Sequence, residues 1–545
     1  MRDKIQKKRI IIFIVSIFLI FVIIWWRIKI LMVDEAYKLS VWADSQYTDK
    51  IPKSDLNYRL FDKNGKELLK YKNKYYAVID TSAFIKNNMG TKSDDLYALI
   101  YILRNYDNSY DLSKVGLNGT SKKLTYEIDE ITYNKLKNIK DVKGFYTYST
   151  SVVDRSEAWK IENMIINPRN QVDNKLKSKD SLEMIVYNKT KLNQYPTINF
   201  VKDINGNVSL GEFITPENNT NLRLTLDKNI QDNIKEILKD DKYKKHEQIG
   251  VILSESNSGK ILAMTQKDDT KPNVNLGSTT QNGFEPGSIF KIIVEEAGLE
   301  RNSINLGEKY SCKQNIYNID EKKDHGILDP EEALIVSCNN IFAQIGDKVG
   351  VNNIIAEAQS QGIFSKVLGF DSEVTGDYVM PKLPGEGAGQ LAIGQSMRIT
   401  PIQAVGIVNT VVNNGIYVKP YIVEAYVGDN NEVKELLKTE EYSTLKKSTA
   451  NSLKNQMIKV VRRGTGVEAD IKNIEIGGKT GTSTRIDGNK KTSDGWFIGF
   501  FKVKNKYYSM VVFVKDIDNK NEQAANTAVP IFKDIVLSIY DYLKK

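Results

Sequence analysis

Phe284-Glu-Pro-Gly-Ser-Ile-Phe-Lys291 and the run after it, Ile292-Ile-Val-Glu-Glu-Ala-Gly-Leu299, read as a sharp turn feeding a helix. Pro286 and Gly287 set the turn, and Ile289 to Leu299 is apolar nearly all round, so the helix belongs in a core. Residues three apart share a helix face, which puts the Lys291 amine within reach of the Ser288 hydroxyl. A hydroxyl is a poor nucleophile until a base takes its proton, and burial lowers a lysine pKa enough for it to serve as that base near neutral pH. The helix N-terminus also favours negative charge developing beside Ser288. Alone, Ser-x-x-Lys is a common coincidence, and an ordinary serine with a solvated lysine accounts for it.

Two later constellations work outward from this one. Asp329-Pro330-Glu331-Glu332 starts a helix running up to Ser337. Ser337-Cys338-Asn339 follows, a hydroxyl and an amide two residues apart, suited to relaying a proton and holding a substrate amide. Further on, Gly477-Gly478-Lys479-Thr480-Gly481-Thr482 leaves the strand-like Ile474-Glu-Ile476. Its glycines let a substrate backbone lie close to a strand edge. Lys479 supplies positive charge for a carboxylate and Thr480 a donor. A phosphate loop needs Gly-x-x-x-x-Gly-Lys, which is absent there.

The ordered set Ser-x-x-Lys, Ser-x-Asn, Lys-Thr-Gly is far more specific than its parts and resembles the signature of active-site serine penicillin-recognising enzymes. Glu332 to Phe342, Ile393-Gly-Gln395 with the capping box Thr400-Pro-Ile-Gln403, Gly464-Thr-Gly466 and Trp496-Phe-Ile-Gly499 narrow the likeness to class B penicillin-binding proteins. It covers residues 221–545 strongly and is weaker over 34–75, where Leu60-Phe-Asp-Lys-Asn-Gly65 resembles the family's N-terminal turn but Asn57-Tyr58 replaces its usual Arg-Gly pair. The resemblance implies an α+β fold, an antiparallel sheet carrying a helical lobe, and D,D-transpeptidation of peptidoglycan stem peptides with no cofactor required for catalysis. Ser288, helped by Lys291, would attack a terminal D-Ala-D-Ala. Ser337 would pass a proton to the leaving amine, and Asn339 would hold the peptide. Lys479 and Thr480 would bind the terminal carboxylate. Gly481 and Thr482 would line the substrate strand, with the backbone N–H groups of Ser288 and Thr482 as oxyanion hole. Beta-lactams would acylate Ser288. A monofunctional enzyme of this kind would also need a glycosyltransferase partner.

The strand pattern agrees with that fold independently. Leu222 to Asp227 reads as a strand and Lys228 to Leu238 as an amphipathic helix. Gln248 to Leu253 and Lys260 to Met264 form a strand pair, and Gly495 to Phe501 with Tyr507 to Lys515 mirror them before a closing helix over 528–543. Strands at both ends with helices between predict one antiparallel sheet formed by both ends of the domain.

Composition excludes several other classes. With 41% apolar and 27% charged residues over 545 positions, the chain is a globular protein of two or more domains. Two histidines, His246 and His325, leave no plausible Ser-His-Asp triad, and His246-Glu247 lacks the second histidine of a zinc-protease sensor. The net charge of +9 is mostly N-terminal: residues 1–33 carry seven basic groups against Asp3 alone, so the remainder calls for no nucleic acid. Ile10 to Trp26 has no charge, and its basic flank predicts a signal-anchor with the N-terminus inside and everything after Val33 outside a bacterial cell membrane. The expected plan is a cytoplasmic tail over 1–9, a transmembrane anchor over 10–33, a mostly β or irregular membrane-proximal pedestal or dimerisation-like domain over 34–220, and a transpeptidase domain over 221–545. A beta-lactamase needs neither anchor nor preceding domain, and a bifunctional synthase needs a glycosyltransferase domain that the composition before 221 does not resemble. A scaffold with an inert transpeptidase fold is the rival from another class; the complete nucleophile set argues against it.

Both cysteines and one histidine fall in a single window, Cys312, His325 and Cys338, with Asp320 and Asp324 nearby. Thiolate and imidazole suit structural zinc, although the spacing is wider than a compact finger. A disulfide between the cysteines and two simply buried thiols are the alternatives.

Overall fold

The computed structural model describes residues 2–88, 93–113, 123–170, 173–315, 319, 323–380, 387–487, 490–518 and 520–545. The chain divides into two compact units, neither of them continuous. One comprises Met1–Asn57, Tyr71–Val153 and Gln194–Glu217; the other comprises Tyr58–Lys70, Asp154–Asn193 and Asn218–Lys545.

The first unit opens with α1 (Arg2–Lys29), which runs on through a π-helical stretch, Ile30–Asp34. Asp3–Asp34 is helical over 32 residues, about 48 Å at 1.5 Å per residue, and by length and composition can cross a bilayer. Among the described residues it is the only such helix. Beyond it, β1 (Thr48–Pro52), β2 (Tyr71–Asp80), β3 (Lys123–Ile128), β4 (Phe145–Val153), β5 (Thr197–Lys202) and β6 (Val208–Ile214) form two antiparallel sheets, ordered β3-β2-β4 and β1-β5-β6. Alternation along β2 serves two cores at once. Ala77 and Ile79 join Leu99 and Leu103 of α2 (Asp94–Tyr106) and Leu136 of α3 (Glu130–Leu136), whereas Val78 joins Tyr146 and Phe200. The mostly β or irregular character expected over 34–220 is corrected at α2, a helix of 13 residues. Its Tyr and Ile content favours strands locally, but Leu99 and Leu103, one turn apart and fully buried, fix the helix.

In the second unit β7 (Asn221–Leu224) lies parallel to Leu60–Phe61, which leads into the turn at Asp62-Lys-Asn-Gly65. That turn is closed by Gly65 N–H on Asp62 O at 3.0 Å, with Gly65 at φ +81°. Tyr58–Lys70 therefore folds with the C-terminal unit, as does Asp154–Asn193, so the crossing between Glu217 and Asn218, near the expected boundary at residue 220, is the last of several. The reason is visible in the pairing: Leu60 and Leu222 are both fully buried and sit in register.

The main sheet is antiparallel and ordered β9-β8-β12-β11-β10, from β8 (Gln248–Glu255), β9 (Lys260–Gln266), β10 (Ile476–Asp487), β11 (Lys490–Val503) and β12 (Lys506–Ile517). Both ends of the segment supply its strands, as the sequence pattern predicts. The cluster on its β-strands includes Ile230, Ile234 and Leu238 of α4 (Lys228–Leu238) with Ile531, Phe532 and Ile535 of the closing helix. The helical lobe holds α5 (Lys291–Glu300), α6 (Pro330–Val336), α7 (Asn339–Val349), α8 (Pro401–Val412) and α9 (Lys447–Arg463). Thr400 and Gln403 cap α8 reciprocally, and all twelve residues of that helix are buried. The last helix is α10 (Ala528–Leu543). This is the fold expected of the penicillin-recognising enzymes. Its edge strand β10 matters most, because a sheet edge leaves backbone groups unpaired beside the site.

Candidate active site

Ser288 lies in a 3-10 turn, Gly287–Phe290, that runs directly into α5. Gly287 has φ +56°, and a Cβ there would stand 2.7 Å from the carbonyl oxygen of Thr482, so both conformation and clearance call for glycine. Gly481 is similar from the other side: a Cβ would meet Pro286 O at 2.6 Å. Turn and edge strand are thus in van der Waals contact. The turn is braced by paired backbone bonds between Phe284 and Ile399 at 2.8 Å and by Gly287 N–H on Gly394 O at 3.2 Å. Trp496 Nε1 donates to Glu285 O at 3.0 Å, and Arg398 pairs with the Glu285 carboxylate at 2.8 Å. Ser288 is half-buried, and Lys291 is fully buried.

Ser337 ends α6 at φ +60°, a left-handed conformation that turns the chain toward α7. Asp329 starts α6 by accepting from Glu332 N–H at 2.9 Å, so the expected cap is present. The Lys291 amine donates to Ser337 O at 2.7 Å and to Asn339 Oδ1 at 2.7 Å, and lies 3.3 Å from Ser337 Oγ. Lys479, also fully buried, donates to Ser337 Oγ at 2.8 Å and to Thr480 O at 3.1 Å. Burial, and then the nearby Lys291 charge, hold the Lys479 pKa well below the usual lysine range. The hydroxyl of Ser337 is therefore the meeting point of two amines.

Thr480 Oγ1 lies 2.6 Å from Thr465 Oγ1, a partner that the Gly464-Thr465-Gly466 motif brings in. Sequence reasoning quoted that motif without giving Thr465 a place in the site; the glycines flanking a lone hydroxyl were the available signal. Thr482 is exposed, and its Oγ1 accepts from Ala524 N–H at 3.0 Å. Along β10, Thr480, Gly481 and Thr482 pair with Phe497, Trp496 and Gly495 of β11, leaving the opposite edge toward the turn that bears Ser288. Hydrogen bonds join Lys291, Ser337, Asn339 and Lys479, and Gly481 and Thr482 abut the turn that bears Ser288.

The three soft donors also come together. Cys312 Sγ is 3.6 Å from His325 Nδ1 and 3.2 Å from Cys338 Sγ, and all three donor atoms lie within 4.8 Å of one another. Neither cysteine is in a disulfide, both are buried, and the imidazole is half-buried. Donors around one tetrahedral zinc stand about 3.5–3.8 Å apart, and the set offers three of the four donors such an ion takes. Asp324 is exposed and faces Lys313 at 3.6 Å; Asp320 lies outside the described residues.

The sequence pattern of the family described as Penicillin binding protein transpeptidase domain matches residues 249–537. Stage V sporulation protein D of Bacillus subtilis is 25% identical, with 97% of this chain and 85% of that protein aligned. Penicillin-binding protein PbpB of Mycolicibacterium smegmatis is 24% identical over 49% of this chain and 45% of its own length. Among solved structures, a peptidoglycan synthetase from Bifidobacterium adolescentis superposes with TM-score 0.64 at 16% identity, covering 91% of this chain and 97% of that one. Penicillin binding protein 3 of Mycobacterium tuberculosis complexed with aztreonam gives 0.60 at 16% identity, with the same coverage. These structural likenesses show the fold. With more than half of the chain matched, and every element of the site inside the matched segment, this chain belongs to the penicillin-binding protein transpeptidase family.

Proposed function

We propose that the protein is a membrane-anchored D,D-transpeptidase that cross-links peptidoglycan stem peptides through an acyl-enzyme on Ser288. The observation that carries this reading is the convergence of Lys291 and Lys479 on Ser337 beside the nucleophile turn. A neutral Lys291 has two N–H bonds, matched by Ser337 O and Asn339 Oδ1 at 2.7 Å each, and one lone pair left to take a proton. Ser288 Oγ loses its proton to that lone pair and bonds to the carbonyl carbon of the penultimate D-alanine. The resulting oxyanion meets the backbone N–H groups of Ser288 and Thr482, each donor worth about 3–4 kcal/mol. The proton then passes through Ser337 Oγ to the leaving amine, the C–N bond breaks, and D-alanine departs. An amine of a second strand attacks the ester, forms the cross-link and returns the proton to Ser288. Thr480 and the open edge of β10 would hold the donor peptide as an added strand. Buried Lys479 would act on the terminal carboxylate through Thr480, whose carbonyl oxygen accepts from its amine at 3.1 Å. A beta-lactam ring opens by the same attack and leaves its amine tethered, which blocks the second step.

The site groups and the edge strand support this assignment of roles. Its test is product formation from a pentapeptide donor and an amine acceptor. Ser288→Ala is expected to release no D-alanine; release at the wild-type rate would refute the assignment.

A specific observation favours a second component of the reading. Cys338 stands between Ser337 and Asn339, and Cys312, His325 and Cys338 would hold a structural zinc that fixes that loop. Metal analysis of protein purified without affinity metal is expected to give one zinc per chain, absent in Cys312→Ser. No zinc in the wild type would leave two buried thiols.

The N-terminal helix supports a single-pass anchor, and its basic flank supports a cytoplasmic N-terminus with the catalytic unit outside. The segments within 34–217 that fold apart from the transpeptidase unit would serve as pedestal and as a surface for a glycosyltransferase partner. Protease added to intact cells is expected to remove the catalytic unit from the anchor.

A further inference from the structure

Two adjacent carboxyl groups on the helix that carries Lys291 take no part in the mechanism above. Glu295 and Glu296 are both fully buried. Each meets one glutamine from a different element: Gln456 Nε2 of α9 donates to Glu295 Oε1 at 2.5 Å, and Gln361 Nε2 donates to Glu296 Oε2 at 2.7 Å. In each pair the second carboxyl oxygen and the glutamine carbonyl oxygen are buried without a partner, namely Glu295 Oε2 with Gln456 Oε1 and Glu296 Oε1 with Gln361 Oε1. Two orphaned acceptors per pair make no sense for an ionised carboxylate. They are satisfied together if the carboxyl carries a proton, because its O–H then donates to the amide carbonyl and closes a two-bond ring.

We propose that Glu295 is a positioning residue held as a neutral carboxylic acid, and that its acid–amide pair with Gln456 ties the nucleophile helix to the helix that sets the Lys-Thr-Gly strand. Glu295 lies one turn after Lys291 on α5, the same-face spacing. Gln456 lies two turns before the end of α9, after which Gly464-Thr465 places its hydroxyl 2.6 Å from Thr480. The pair thus links the base to the substrate strand through two rigid helices. Ionising Glu295 would break the ring, bury an unpaired charge, and set an anion one turn from Lys291, which favours the charged amine over the base.

The charged surroundings agree. Burial first raises the Glu295 pKa to about 8, against the downward pull of the Gln456 bond, and Glu331 and Asp329 add smaller upward pushes. Glu331 pairs with Lys459 of α9, and Asp329 with Lys309 at 2.8 Å. Glu357, on the helix Val351–Ser360, pairs with Arg301 at 3.1 Å and, after burial, pushes Glu296 well above the usual carboxylate range. The buried residues of α7 include no titratable side chain.

The inference rests on the transpeptidase reading for its kinetic consequence, so the test has two arms. In the first, the rate of acylation by a fluorescent penicillin is followed from pH 6 to 9 in the full chain and in Glu295→Gln, which can keep an amide–amide ring with Gln456. The ratio of wild-type to variant rate is expected to fall about tenfold between pH 7 and pH 9, one unit above the midpoint; a constant ratio overturns the proposal. Absence of acylation in both proteins at every pH would instead refute the transpeptidase reading. The second arm does not use activity. The infrared carboxylic-acid carbonyl band of the wild type is expected at pH 7 and weakened at pH 9, with Gln456→Leu moving that transition. No protonated-carboxyl band at pH 7 would overturn the proposal even if Glu295→Gln failed to fold.

Discussion

Ser337 is the side chain on which the residue-scale account depends. Its hydroxyl lies 2.8 Å from the Lys479 amine and 3.3 Å from that of Lys291, so it is the only described oxygen shown bridging the two. Positioned acid–base groups contribute about 10²–10⁴-fold, and Ser337→Ala is expected to slow acylation by that order while leaving the melting temperature nearly unchanged. Stopped-flow penicillin acylation checks it, and an unaltered rate would remove Ser337 from the relay. Gly287 gives a second residue-scale prediction. Gly287→Ala meets both a positive φ and a carbonyl oxygen 2.7 Å away, so it is expected to cost about 1–3 kcal/mol and to displace Ser288. Thermal unfolding beside acylation would show both losses; a fully active, equally stable variant would mean the turn relaxes freely.

At the scale of elements, stability is expected to depend on pH through α5. Glu295 has a folded pKa raised to about 8, above its unfolded carboxylate value. The folded state then binds more protons than the unfolded one across that interval, so this contribution is complete at pH 4, declines as pH rises, and is gone above about 8. Denaturant unfolding of wild type against Glu295→Gln at pH 6 and pH 9 measures it. The elements that were legible in the sequence are those whose signals are local. Thr400-Pro-Ile-Gln403 and Asp329-Pro330 start helices by hydrogen bonds within one turn, and both caps are formed as read. The order of the Ser-x-x-Lys, Ser-x-Asn and Lys-Thr-Gly motifs was legible because each sits at an element boundary with its own punctuation. By contrast, α2 was missed because its Tyr and Ile content argues for strand, and only distant burial of Leu99 and Leu103 overrides that preference. Thr465 and Arg398 entered the site through tertiary contact with Thr480 and Glu285, which no spacing in the chain announces. The interleaving of Tyr58–Lys70 with the C-terminal unit was hidden for the same reason: its partner β7 lies some 160 residues on.

For the whole molecule, the two excursions out of the transpeptidase unit begin and end at neighbouring points. Asp154 N–H donates to Lys70 O at 2.8 Å, across the segment Tyr71–Val153. Asn193 and Thr220 exchange two bonds, at 2.8 and 2.9 Å, across Gln194–Glu217. A chain starting at Tyr58, with both excursions replaced by short linkers, is expected to fold and to be acylated by penicillin. Insoluble or unreactive protein would show that the first unit is needed to build the site. Removing residues 1–34 is expected to move the protein from the membrane fraction to the soluble one, since the one helix among the described residues long and apolar enough to cross a membrane goes with them.

The most direct measurement is the intact mass of the detergent-solubilised full chain after penicillin, followed by peptide mapping, beside Ser288→Ala. The account predicts one adduct on the peptide bearing Ser288, stable over minutes, and none in the variant. An adduct on another residue, or one that persists in Ser288→Ala, would contradict it.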